Sequence, residues 1–225
     1  MSEIYNCIDK IRNAIQIEEI KTTIPNYEIL AAALDIVSDA EDGIASYLSL
    51  EDKNERGINY IYINGVLSLL MVEIQAVRVI YKLLLGKDLN ITSDKHLDII
   101  RLLRNKIFAH PVDLGVGGSR NDFGIIASQL TTFSFIPYAF NGELPSSNDK
   151  TLYEKVEELA RNRVNHNPVI DIKELIKNKN SSLETYLNEI CETLFLPEQY
   201  NPQEYTKISD NHPLMVLLKF FGKDI

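Results

Sequence analysis

The segment Leu103-Arg104-Asn105-Lys106-Ile107-Phe108-Ala109-His110 holds the residue types best suited to chemistry in this chain. Arg104 presents a planar, charged fork of donors that matches the oxygens of a phosphate. His110 follows after five intervening residues, and Pro111 comes directly behind it, which stops a helix at the histidine. The partial negative charge of a helix C-terminus favours imidazolium and draws the histidine's pKa upward. A histidine poised near neutrality can take and give protons. Asn105 can donate to, or orient, the same group. These parts suffice to cleave RNA without a metal. The imidazole activates the ribose 2′-hydroxyl or protonates the leaving oxygen, and the guanidinium steadies charge on the phosphorane. The structural alternative for Arg104, Asn105 and His110 is a helix-end hydrogen-bond cluster with no catalysis.

A second pair at similar spacing lies in Arg161-Asn162-Arg163-Val164-Asn165-His166. It follows a short polar segment and runs into Asn167-Pro168, which reads as a solvated helix end. For the first pair, six steps of about 100° leave Arg104 and His110 about 120° apart around a straight helix, so the two do not stack on one face. The spacing and wording of the first segment resemble the R-x(4–6)-H motif of the HEPN superfamily, in which the arginine is usually followed by a polar residue, here Asn105. The form is similar to that of HEPN proteins of the abortive-infection and toxin type. The setting is similar too, with an apolar central helix, the motif near the end of the next helix, and a closing helix late in the chain. The resemblance covers residues 58–111 and, loosely, residues 180–196.

The resemblance implies a HEPN-like helical bundle and a metal-independent endoribonuclease, with Arg104, Asn105 and His110 as its catalytic residues and no cofactor. It implies a homodimer that brings two motifs into one cleft, RNA as substrate, and a place in microbial defence or a toxin–antitoxin pair, with an antitoxin or another protein as a further partner. One branch of the family carries a tyrosine two residues after the histidine. Val112 stands there in this chain, so that branch's regulation is not expected. Members without nuclease activity also exist, and the alternative is a non-catalytic helical module that binds RNA or a protein.

The elements that must position the motif are mostly helical. Ile4, Ile8, Ile11 and Ile15 mark a helical stripe over residues 2–16. Pro25 can open the next helix, whose apolar face runs through Ile29, Leu30, Ala33, Leu34, Val37, Ile44, Tyr47 and Leu48. Residues 58–85 are apolar on most sides, which suits the middle of a bundle, and Gly86 ends that helix. Ser93 reads as an N-cap with Asp94 in the first turn. The helix that follows reaches about Ala109 through Leu97, Ile100, Leu103, Arg104 and Ile107. The Gly115–Ser119 stretch is a loop. Phe123, Ile125, Ile126, Phe133, Phe135, Ile136 and Tyr138 are strand formers, and Asn141-Gly142 is a turn signal. A small β-hairpin is therefore expected over about residues 121–142. Residues 151–164, 171–178 and 181–195 read as helices, and the apolar run Pro213 to Phe221 docks on the body. The expectation is one mainly α domain over residues 1–225.

The bulk properties set limits. The net charge of -9 is divided unevenly, at -7 over residues 1–60, +3 over 61–120 and -5 over 121–225. Such a chain repels nucleic acid at long range, leaving only the middle third as a phosphate-friendly surface. Cys7 and Cys191 stand far apart in sequence, outside any C-x-x-C pattern, and read as buried thiols in a reducing compartment. A secretory leader is not indicated. Asn64, Glu73, Gln75, Arg78 and Lys82 interrupt the longest apolar stretch, so a cytoplasmic protein with no membrane span is expected. Glu73 is read either as a partner that orients Arg104 or as a partly exposed carboxylate making local contacts. Arg101 should pair with Asp98, three residues earlier. Lys106 would add positive potential or simply be solvated. His96 and His212 read as surface or loop histidines without metal-ligand spacing.

Overall fold

The isoleucine stripe near the N-terminus forms α1 (Glu3–Ile15), and Ile4, Ile8, Ile11 and Ile15 are all buried along it, with Cys7 among them. The computed structural model describes residues 3–16, 21, 24, 26–52, 55–105, 112–114, 120–125, 130–139, 162–164 and 167–195. They are mainly helical, as expected. Asn26 takes a left-handed φ of 59°, a conformation Asn tolerates, and its carbonyl accepts the first bonds of α2 (Tyr27–Leu48). Pro25, expected to open this helix, lies outside the described residues. Leu30, Ala33, Leu34, Val37, Ile44 and Tyr47 are buried along α2, but Ile29 and Leu48, expected on the same face, are exposed.

The apolar stretch forms α3 (Arg56–Leu85). It is long and apolar enough to cross a membrane by length and composition, and half of its most apolar window is buried inside the fold. Gly86 ends it as expected. Its φ of 67° suits a residue without Cβ, and its N–H closes on the Lys82 carbonyl at 3.0 Å. A short 3-10 turn, Ile91–Ser93, leads into α4 (Lys95–Leu103). The last helix is α5 (Ile172–Phe195).

Contacts divide the chain into two compact units. The first takes residues 1–41, 72–89 and 180–225. Here Tyr5 donates to the Ser38 carbonyl at 3.1 Å, and Arg12 reaches Asp35 at 3.1 Å and Ser38 at 3.2 Å, which fixes α1 against α2. Tyr81 of α3 donates to Glu189 of α5 at 2.7 Å and packs edge-on against Tyr186. Ile74, Val77, Ile80 and Leu84 on α3, and Leu183, Leu187, Ile190 and Leu194 on α5, recur every three or four residues and are closed to solvent. Each such side chain contributes about 2 kcal/mol on burial.

The second unit takes residues 42–71 and 90–179. A Cβ on Gly43 of α2 would stand 2.8 Å from Leu69 Cδ1 of α3, so the two helices approach closely there. The unit also holds two three-stranded antiparallel sheets. The first has the order β1 (Val112–Leu114), β2 (Arg120–Ile125), β4 (Pro137–Ala139), with Val112 opposite Asp122 and Ile125 opposite Pro137. Pro137 is tolerated because β4 is an edge strand and it is the first residue. The second has the order β3 (Ser134–Phe135), β6 (Asn167–Asp171), β5 (Asn162–Val164), with Phe135 opposite Ile170.

Several expectations need correction. The expected hairpin appears only in part: β2 pairs antiparallel with β4, but β1 adds to the other side of β2, and β3 pairs with the late strand β6. Asn162–Val164 is strand β5, not the end of a helix, and the rest of 151–161 lies outside the described residues. The two late helices are one, α5. Asp171 caps it by accepting from the N–H groups of Lys173 and Glu174 at 2.8 and 3.3 Å, and the polar Lys179-Asn180 step continues it because Lys179 is fully buried. Asp94, not Ser93, is the N-cap of α4. Its carboxylate takes two backbone N–H groups, while the Ser93 hydroxyl donates to the Asn90 carbonyl. The Gly115–Ser119 loop, the Asn141-Gly142 turn and Pro213 to Phe221 lie outside the described residues.

Candidate functional site

The element that carries the candidate site is α4, and its fold is dictated locally. The Asn90 side chain closes the 3-10 turn by accepting from the Thr92 N–H, and Asp94 then starts the helix by accepting from His96 and Leu97 at 2.9 and 3.2 Å. Leu97, Ile99, Ile100 and Leu103 are fully buried and fix the rotation of α4. Asp98 is buried with them, and Arg101 donates to it through Nε at 2.7 Å, the expected pairing. Arg101 is thereby committed to structure.

Regular α-helix runs to Leu103, Arg104 and Asn105 carry the helix on with π-type winding, and the rest of the expected helix, to about Ala109, lies outside the described residues. The Arg104 N–H is shared between the Arg101 and Ile100 carbonyls, three and four residues back. Both side chains are half-buried, and Arg104 Nη1 donates to Asn105 Oδ1 at 3.0 Å. Consecutive residues on a regular helix point apart, so this contact depends on the long arginine curling back across the turn. It uses one of the five donors of the guanidinium. Asn105 is placed to orient Arg104. His110 and Lys106 lie outside the described residues, as do Arg161 and His166 of the second pair and His212. The structure therefore brings Arg104 and Asn105 together and does not describe the histidine.

Glu73 is fully buried, which overturns the reading of a partly exposed carboxylate. It is engaged in a polar interaction there, as a charge at that depth requires. His96, expected on the surface or in a loop, is half-buried in the first turn of α4 with its Nδ1 enclosed. Among the described residues, no three His, Cys, Asp or Glu side chains converge as a metal site.

A buried polar cluster that sequence reasoning missed surrounds Thr132 in the second unit. Tyr47 donates to its carbonyl, its N–H donates to Asp52 at 3.0 Å, and its hydroxyl donates to Asn59 Oδ1 at 2.9 Å. Phe133 packs edge-on against Tyr47, and the Lys173 ammonium sits 3.9 Å from the Phe133 ring centroid. Burial first, then the carboxylates of Asp171 and Asp52, pushes the Tyr47 phenol well above its ordinary value. Every polar atom of Thr132 is engaged, so the cluster pins the turn before β3. The strand-forming residues around it were visible in sequence, but their partners 70 to 85 positions away were not.

No family model matches the chain, and neither a curated protein nor a solved structure matches it.

Proposed function

We propose that the chain is a HEPN-type, metal-independent endoribonuclease of the cytoplasm, acting in microbial defence or a toxin–antitoxin pair, with Arg104 and His110 working across a homodimer. The observation that carries this reading is the π-type turn at the end of α4, where Asn105 holds the Arg104 fork. Departures from regular winding of this kind cluster at functional sites. A guanidinium held by a neighbour loses less freedom when a phosphate arrives. In the reaction His110 takes the ribose 2′-OH proton, the 2′ oxygen attacks phosphorus, and Arg104 stabilises the charge on the phosphorane. The P–O5′ bond then breaks and the 5′ oxygen leaves with the proton that His110 returns, giving a 2′,3′-cyclic phosphate.

The test is cleavage of RNA in EDTA, with end-group analysis and thermal melts beside it. The native chain should leave cyclic phosphate ends, His110→Ala should abolish cleavage, Arg104→Ala should cripple it, and His166→Ala should leave it nearly intact. Equal cleavage by His110→Ala, or a change in melting temperature alone, overturns the catalytic reading.

The second reading, a non-catalytic helical module that binds RNA or a protein, is favoured by the same contact viewed differently. A half-buried arginine engaged by its neighbour also serves to close a helix end. RNA binding without cleavage by the native chain would decide for it.

A further inference from the structure

Cys7 and Cys191, the chain's two cysteines, are 184 positions apart in sequence, and the first unit brings them side by side. Cys7 Sγ of α1 donates to Asn188 Oδ1 of α5 at 3.3 Å. Asn188 stands three residues before Cys191, so the Cys7 thiol lies over the α5 face that also carries Cys191. The Cys191 thiol in turn points at the Cys7 carbonyl oxygen, 4.0 Å away. Cys7 is closed to solvent and Cys191 is half-buried, so Cys191 is the more accessible residue of the pair. Thiols placed at random in a chain this size rarely meet, and here both bonds run between the same two helices.

We propose that Cys7 and Cys191 form a reversible disulfide that staples α1 to α5 under peroxide or a small disulfide oxidant. With peroxide, the Cys191 sulfur attacks one oxygen, the O–O bond breaks, and the departing hydroxide takes the thiol proton to leave as water. The Cys7 sulfur then attacks the resulting sulfenic acid, the S–S bond forms, the S–O bond breaks, and hydroxide leaves with the Cys7 proton as a second water. Two thiols and one peroxide thus give one disulfide and two waters. Burial raises both thiols above their ordinary value of 9.0, Cys191 to about 12, so little thiolate exists near neutrality. The pair is therefore slow to oxidise and stays a dithiol in a reducing compartment. Closure under sustained oxidation would restrain an unfolded loop spanning most of the chain, and the chain-entropy model gives the largest stabilisation to such long loops.

The full native chain is treated with hydrogen peroxide and, separately, with oxidised glutathione, then alkylated under denaturing conditions. The expected result is loss of both titratable thiols without dimerisation, a peptide pair linked through residues 7 and 191, and recovery of both thiols with dithiothreitol. The melting temperature should rise by about 5 °C or more on oxidation. Cys191→Ala should block the link and the rise while leaving Cys7 unmodified by peroxide, because Cys7 is closed to solvent. Should α1 loosen in that variant, Cys7→Ala provides the second arm, with oxidation then stopping at a sulfenic acid on Cys191. Two free thiols after prolonged oxidation, chain-to-chain disulfides alone, or separate sulfinic acids at the two positions would overturn the proposal.

Discussion

Asn105 holds the Arg104 head at 3.0 Å, and that contact determines what substitution at either position should do. Asn105→Ala removes an acceptor but no charge. It should lower RNA cleavage by about tenfold through a less well oriented guanidinium, and cost about 1 kcal/mol of stability or less because the pair is half-buried. Cleavage rates and melts of that variant test the point, and an unchanged rate would show that the orientation of Arg104 does not matter to the reaction. Arg104 and Asn105 stand out in sequence through residue type and spacing, and what the structure adds is their mutual contact. The Arg101–Asp98 pair was legible because both members lie on one short helix. Glu73 was not, because a carboxylate within an apolar helix reads the same whether its side faces solvent or a partner from a remote segment. The cysteine pair was hidden for the same reason, since only tertiary packing joins positions 7 and 191.

Helix periodicity made α1 legible, since it buries the stripe its sequence displays, whereas α3 was legible from its long apolar run, of which Ile61 and Val72 stay exposed. Their ends were set by local chemistry that several residues could supply. Ser93 and Asp94 both suit an N-cap, and Asp94 prevails because its carboxylate reaches two N–H groups. Asp94→Ala should therefore destabilise by about 1 kcal/mol, seen as a fall of about 3 °C in melting temperature, whereas Ser93→Ala should cost less. Equal effects would overturn that assignment. The strands were less legible, because β5, β6 and β3 are held by pairing between distant segments, and short strands carry little signal of their own. Gly43 offers a further test at this scale. Alanine there gains about 1 kcal/mol in helix propensity, but its Cβ meets a Leu69 methyl at 2.8 Å. That methyl ends a flexible side chain and can move, so Gly43→Ala should change stability by less than about 1 kcal/mol. Gly43→Leu cannot be absorbed so easily and should cost about 1–3 kcal/mol in chemical denaturation.

At the level of the whole molecule, charge bears on the proposed dimer and on the proposed RNA binding. Each copy carries -9, so the proposed dimer would form against long-range repulsion and should strengthen as salt screens it. RNA binding at Arg104 should weaken with salt. Light scattering over a salt series therefore separates the two events, and a stable monomer at micromolar concentration in high salt would rule out an active site shared between copies. Stability against pH is decided elsewhere. Glu189 accepts from Tyr81 at 2.7 Å and from Lys87 at 2.9 Å. The Tyr81 bond, with help from Lys87 and against a smaller effect of burial, holds the Glu189 carboxyl below its ordinary 4.5. A depressed carboxyl contributes stability that is fully present above that ordinary value and is lost as pH falls through the lower folded one. Tyr81 works in the opposite sense. Burial first, then the bond to Glu189, raises its phenol above the ordinary 10.0, so its contribution is present below that value and fades as pH rises beyond it. Tyr47 is raised in the same direction and adds to the alkaline loss. Both members of the Glu189–Lys87 pair are substantially exposed, so salt should weaken that part of the effect. Melts of the native chain and of Glu189→Gln, followed from neutral pH to below the ordinary carboxyl value, test the acid limb. The native melting temperature should fall more steeply than that of the variant, and the two should converge once the carboxyl is protonated. Tyr81→Phe should flatten the acid limb in part, because Lys87 still favours the carboxylate. Parallel curves for all three proteins would show that the Tyr81–Glu189–Lys87 contact does not govern acid stability.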